Sequence, residues 1–244
     1  MPVIDRSLNY GRNVIEGFYR RIAPFESVLD IGAGSGDDLL AARKVCSSAE
    51  LFAVESYLPN VERLQRVGIH TISANLESCS LPLDECSIDV VLSNQTLEHV
   101  KEIFWILHEV SRVLKVGGYL MIGVPNLASL HSRLMLLFGM QPTCLQNHSA
   151  HVRGYTRHDL LRLFERVFPG GYRLQGFGGS NFYPFPPVIA KPMARLMPNF
   201  AWSIFLLLQK TRPYTQEFLD HPVREQLETN FYLGQRSVER QHAG

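Results

Sequence analysis

Along the first two thirds of the chain, short apolar runs alternate with stretches of helical period, the pattern of a parallel-sheet α/β domain. Ile15, Phe18, Tyr19 and Ile22 share one face of an opening helix, which Pro24 ends. Residues 27–31 form a short buried strand that runs into glycines, and a helix follows over 37–45. Strands are predicted at 51–55, 71–75 and 88–93. Between the first two of these, Pro59 suits the first turn of a helix and Gly68 its C-terminal cap. Leu97, Val100, Ile103, Phe104, Leu107, Val110 and Leu114 make a wide apolar stripe that predicts one long helix, broken by Gly117-Gly118. A fifth strand follows at 119–124.

Beyond Pro125 the character changes. Residues 127–140 are apolar and helical in pattern, and a polar loop bearing histidines runs from 141 to 155. Thr156-Arg157-His158-Asp159 has capping-box spacing and opens a helix with Leu160, Leu161, Phe164, Val167 and Phe168 inside. Two more strands are predicted at 172–176 and 203–209. The stretch between them carries Pro184, Pro186, Pro187, Pro192 and Pro198, too many for one continuous helix. From about Pro213 the chain reads as a polar tail with some helix.

The strand, glycine cluster and helix at 27–45 carry the first chemical signal. Glycines permit close backbone approach, and a helix N-terminus offers unpaired N–H groups to a ligand. Glu55, at the tip of the second strand, is placed to hold the two hydroxyls of a ribose. The glycine spacing is G-x-G-x-G, with Asp30 immediately before it. A carboxylate there repels a pyrophosphate and attracts an ammonium group, which favours S-adenosylmethionine over a dinucleotide.

The segment Val28-Leu29-Asp30-Ile31-Gly32-Ala33-Gly34-Ser35-Gly36 resembles the first motif of the class I S-adenosylmethionine-dependent methyltransferases. Four further segments resemble that family in the same order: 54–56, 74–77, 89–100 and 109–120, so the likeness spans roughly residues 25–126. It implies a Rossmann-like α/β fold: a seven-stranded, mostly parallel sheet with helices on both faces and its last strand antiparallel. A helical and loop cap would be inserted after strand five. By the same resemblance, Asp30, Gly32, Ala33 and Gly34 would face the methionine moiety, with Glu55 on the ribose and Ser56 and Leu76 beside adenine. Asn94 and Gln95 would lie near the sulfonium, and Tyr10 in the N-terminal segment would close over it. Asn75 stands where many members have Asp, and can still accept from the adenine amino group without a charge.

His99 is the candidate general base, since imidazole takes a proton near neutral pH; its other reading is structural. Quinone O-methyltransferases carry E-x-x-E-H in this place. Gln95 replaces the first Glu here, so no metal is expected. The segment holding His148, His151 and Arg153 resembles an H-x-R-x-[YF]-[ST] loop that lies over the acceptor pocket of sugar, lipid and small-metabolite methyltransferases. These three residues are the candidate acceptor-binding set, with local pairing of Arg153 and solvated histidines as the alternative.

Composition narrows the rest. A length of 244 residues suits one α/β domain over 1–212, with a cap helix within 1–24 and acceptor-side elements within 127–202, followed by a tail over 213–244. Hydrophobic residues at 45% and charged ones at 19% exclude disorder. A formal net charge of +1 disfavours a nucleic-acid partner. Cys46, Cys79, Cys86 and Cys144 form no C-x-x-C pair and read as reduced thiols of a cytoplasmic chain without a signal peptide. Lys191 and Arg195 lie among apolar residues, which allows peripheral contact with the inner face of a membrane. The expected reaction is methyl transfer from S-adenosylmethionine, leaving S-adenosylhomocysteine, to an oxygen of a small glycan, lipid-linked or quinone-like acceptor. N-methylation of a small amine or protein side chain is the alternative, and a non-catalytic cofactor-binding subunit a third reading. Monomer and homodimer both remain open.

Overall fold

A computed structural model describes residues 11–234. Tyr10 lies outside the described residues. Seven strands form one sheet: β1 (Ser27–Ile31), β2 (Glu50–Glu55), β3 (His70–Ser73), β4 (Ile88–Asn94), β5 (Leu114–Pro125), β6 (Tyr172–Ser180) and β7 (Ser203–Lys210). Their order is β3-β2-β1-β4-β5-β7-β6. The first five pair in parallel, and β7 runs antiparallel to both β5 and β6. The expected seven-stranded, mostly parallel sheet with an antiparallel last strand is the observed one.

The helices are α1 (Arg12–Ile22), α2 (Asp37–Val45), α3 (Leu58–Arg66), α4 (Ile103–Val113), α5 (Leu130–Leu137), α6 (Arg157–Val167), α7 (Pro187–Leu196) and α8 (Glu217–Arg224). Successive strand residues point to opposite faces, so the sheet feeds two cores. Val28, Val90, Leu92, Met121, Phe205 and Leu207 pack with Ile15 and Tyr19 of α1, Leu39 of α2 and Leu64 of α3. Leu29, Ile31, Val91, Ile122, Ile204 and Leu206 pack on the other face with α4, α6 and α8. Thr156 caps α6 as its spacing predicted, its Oγ1 accepting from Asp159 N at 3.1 Å.

Two segments depart from the sequence reading. The predicted long helix over 97–114 is interrupted: Leu97–His99 is a 3₁₀ turn, Val100 is extended, and α4 starts at Ile103. The Glu77 carboxylate accepts from the amides of Lys101 (2.6 Å) and Glu102 (3.0 Å), which pulls the chain off helical geometry there. The stretch read as a polar tail contributes α8, whose Phe218 and Leu219 are buried in the core beside α4. Among the described residues no helix is long and apolar enough to cross a membrane.

Candidate active site

Strand order reverses direction at β1, which has β2 on one side and β4 on the other. Loops leaving the carboxyl ends of these strands therefore diverge and open a crevice. The turn after β1 is pinned by Gly32 N and Ala33 N donating to Val54 O at 2.9 and 3.2 Å. Gly32 has φ +78°, and a Cβ on it would sit 2.5 Å from Thr96 Oγ1. Gly34, also at positive φ, would meet nothing within 4 Å, so its backbone borders open space. Gly32 is needed for packing against the loop after β4, and Gly34 for a bare face toward a ligand.

A cavity of about 180 Å³ opens at this point, lined among others by Gly32, Glu55, Ser56, Asn75, Leu76 and Thr96. The segments after β1, β2, β3 and β4 each supply part of the wall. The Glu55 carboxylate accepts from Gly34 N, Ser56 N and Tyr57 N, each at 2.8 Å. These three main-chain donors fix the orientation of the carboxylate. Asn75 Oδ1 accepts from Glu77 N at 3.0 Å and caps the local turn.

Asp30 follows the Val28 row and therefore lies on the α1–α2 face. It is 2% exposed, and its Oδ1 has no hydrogen-bond partner among the described residues. Burial pushes its carboxyl well above the ordinary range; neighbouring Asp38 and Glu55 add to this, and Arg12 opposes it. Asp38, at the start of α2, is also raised by burial, against the pull of Asn94 and Arg12. Asn94 Nδ2 donates to Asp38 Oδ2 at 2.8 Å, while Arg12 bridges Asp37 and Asp38, each at 3.2 Å. These contacts tie α1 to the turn region of α2. Asp38 and Thr96 were not singled out by sequence reasoning. The acidic doublet just after the glycines is the available signal for Asp38, whereas Thr96 gains its place through its contact with Gly32 and its position in the cavity wall.

Gln95 is held at φ +56°, with its N donating to Gly123 O at 2.8 Å. A side chain in the left-handed region costs on the order of 1 kcal/mol. Gln95→Gly is therefore expected to stabilise the chain by about that amount in urea unfolding; a destabilisation of similar size would show the side chain to be structurally required.

The Leu97–His99 turn and the 141–155 loop are laced together. Glu98 O accepts from Val152 N (2.8 Å) and Arg153 N (3.3 Å), and Tyr155 OH donates to Leu97 O (3.1 Å). Arg153 does not point its charge to an open pocket. Its guanidinium donates to Val100 O (3.2 Å) and Lys101 O (2.7 Å), capping the carbonyls freed where the helix is interrupted. His151 lies beside His99 with ring centroids 4.7 Å apart, whereas His148 is exposed and makes no hydrogen bond or ion pair among the described residues. Burial lowers the proton affinity of His99, partly offset by Ala150 O at 3.3 Å, with His151 lowering it further. Glu98, 1% exposed, is pushed by burial up to about 7.

Residues 29–122 match the family described as a methyltransferase domain. A probable S-adenosylmethionine-dependent methyltransferase of Mycobacterium tuberculosis is 35% identical over 116 residues, covering 44% of this chain and 40% of that protein. Curated relatives are thus matched over less than half of their own length. Among solved structures, a possible histamine N-methyltransferase from Thermotoga maritima superposes with a TM-score of 0.59 at 18% identity, covering 83% of this chain and 91% of that one. The plantazolicin methyltransferase BpumL, solved with S-adenosylhomocysteine, also gives 0.59 at 17% identity, covering 85% and 87%. The sheet order, the glycine turn and these matches agree: the chain carries a methyltransferase domain of the class I S-adenosylmethionine-dependent family.

Proposed function

We propose that the chain methylates a small-molecule acceptor, at oxygen, with S-adenosylmethionine as methyl donor. The observation that carries this reading is the convergence of Gly32, Glu55, Ser56, Asn75 and Leu76, from three separate loops, on one cavity. The residues present fit the cofactor. Asp30 offers a buried carboxyl oxygen without a partner among the described residues, Gly34 a bare backbone face, and Glu55 an oriented carboxylate. Asp30 and the open backbone face at Gly34 would hold the amino-acid end. Glu55 would hold the ribose, Ser56, Asn75 and Leu76 the base, and Asn94 and Gln95 the reactive end.

When bound, the cofactor supplies a methyl group on a sulfonium, and the chain's task is to align an acceptor and exclude water. Arg12, fixed to Asp37 and Asp38, anchors the start of α1 as a cover on the methionine side. Thr96 and Val100 line the cavity and flank Glu98-His99, so this pair stands where an acceptor would approach. A hydroxyl must lose a proton to become a good nucleophile, and the pair supplies groups that can take it. That favours oxygen. The 141–155 loop, carrying His148 and His151, would form the acceptor side, where a glycan, lipid-linked or quinone-like hydroxyl is the class we propose.

Calorimetry with S-adenosylhomocysteine tests the cofactor reading. Binding is expected at micromolar concentration, and Glu55→Ala should weaken it by about 10- to 100-fold through loss of charge-assisted hydrogen bonds. Absence of binding at high micromolar ligand would overturn the reading. Transfer of labelled methyl to a panel of hydroxylated and amine acceptors then decides the acceptor atom.

A further inference from the structure

We infer that Glu98, His99 and His151 form a binding site for a divalent transition-metal ion of the zinc type, on the segment between the cavity-lining Thr96 and Val100 and the loop packed against it. A carboxylate oxygen of Glu98 and one ring nitrogen of each histidine all lie within 4.8 Å of one another. The sequence expectation of no metal rested on Gln95 in place of the first Glu of E-x-x-E-H and on sequence spacing, which does not join residue 151 to residues 98 and 99. The third ligand instead comes from the loop that the main-chain bonds to Glu98 O bring across.

Three features make this a metal site in its chemistry as well as its spacing. Glu98 is 1% exposed, and neither carboxylate oxygen has a hydrogen-bond partner among the described residues. An ionised carboxylate buried in this way costs several kcal/mol unless a cation joins it. Secondly, both histidines turn Nδ1 toward a backbone carbonyl, His99 toward Ala150 O at 3.3 Å and His151 toward Cys144 O at 2.9 Å. A carbonyl only accepts, so each Nδ1 carries the proton and each Nε2 keeps its lone pair. This is the tautomer and outer-shell contact that metal-ligating histidines use. Thirdly, the two ligand-bearing segments are fixed to each other by Val152 N and Arg153 N on Glu98 O and by Tyr155 OH on Leu97 O. The ligands are thus positioned before any ion arrives.

The donor set selects the ion. Two imidazoles and one carboxylate suit Zn²⁺, Co²⁺ or Fe²⁺ better than Mg²⁺ or Ca²⁺, which prefer all-oxygen shells. Tetrahedral bonds of about 2.0–2.1 Å place donors about 3.4 Å apart, so the side chains must rotate inward by about an ångström. His99 is exposed, which gives the ion a route in. Three protein ligands leave a fourth position for water or an acceptor hydroxyl, and a bound dication that eases loss of its proton would replace Glu98-His99 as the means of activating it. That last consequence rests on the methyl-transfer reading; the binding of the ion does not.

The test uses the full chain stripped with a chelator and then dialysed. Zn²⁺ is titrated by calorimetry and Co²⁺ by its visible absorption, without any cofactor present. One equivalent is expected to bind at micromolar concentration or tighter, with the Co²⁺ spectrum of nitrogen and oxygen ligation. His99→Ala, His151→Ala and Glu98→Gln should each weaken Zn²⁺ by at least tenfold (~10-fold being the smaller loss that even outer-shell changes give), whereas His148→Ala should not. Circular dichroism and S-adenosylhomocysteine binding report whether each variant folds. Should Glu98→Gln fail to fold, the half-buried loop variant His151→Ala decides. The site is overturned if Zn²⁺ binds no tighter than about millimolar, if His151→Ala binds as well as wild type, or if Co²⁺ gives a thiolate charge-transfer band from one of the free cysteines.

Discussion

Asp30→Asn is expected to stabilise the ligand-free chain by about 2 kcal/mol at pH 8 while weakening S-adenosylhomocysteine about 10- to 100-fold. The stability gain follows from a buried carboxyl, 2% exposed, whose Oδ1 has no partner among the described residues. Burial first, then the charges of Asp38 and Glu55, push its proton affinity above the unfolded value, with Arg12 opposing. Between the unfolded and folded titration points the native state therefore holds the extra proton. By linkage, stability falls as pH rises through that window. Asn does not titrate, so the variant's advantage should vanish in acid and grow toward alkaline pH. Urea unfolding of both chains from pH 4 to pH 9 measures it. Equal stabilities at pH 8 would mean that the carboxyl is solvated or paired in solution. The affinity loss has the same cause in reverse: an oxygen left without a partner is the one an ammonium can satisfy, and a neutral amide supplies no charge for it. Ligand should then raise the melting temperature of the wild type and much less that of the variant.

This site explains why part of the architecture was legible in the sequence. The turn at 32–36 and the acidic tip at Glu55 are local features: a strand, a glycine that must take positive φ, and a carboxylate one strand later. Local chemistry of this kind survives translation into one dimension. The break between His99 and Ile103 does not, because its cause is Glu77, far along the chain, taking the amides of Lys101 and Glu102. The apolar stripe continues across the break, so periodicity alone cannot register it. The same limit applies to Asp38, whose role comes from Asn94 and Arg12, and to the meeting of His99 with His151. The charge of Arg153 is plain in the sequence, yet its partners are two carbonyls that are free only because the helix is broken.

Phe218→Ala tests the part of the fold that composition concealed, and the expected result is a loss of about 3–5 kcal/mol with cofactor affinity retained. Only Phe218, Leu219, His221 and Pro222 of α8 are buried, so the segment reads as polar. Phe218 is nevertheless fully buried, with its ring 6.0 Å from that of Phe164, 6.3 Å from Phe168 and 5.9 Å from Tyr214. Tyr214 OH also accepts from Phe218 N at 3.2 Å, closing the link between the segment and its helix. Truncation removes the centre of this aromatic cluster and leaves a cavity between α6 and α8 that the surrounding rings cannot fill. Asp30 lies on the opposite face of the sheet, and Phe218 does not line the cavity, so wild-type affinity is the expected outcome. In urea the midpoint should fall with the slope preserved, while calorimetry at low temperature gives wild-type affinity within about twofold. A parallel fall in affinity would show α8 to be coupled to the cleft through α4, whose first turn follows the Glu98-His99 segment. Taken with Asp30→Asn, the pair forms a double dissociation: one buried group sacrifices stability for binding, the other contributes stability without it. A fold that merely resembled a cofactor domain would give the second result and not the first.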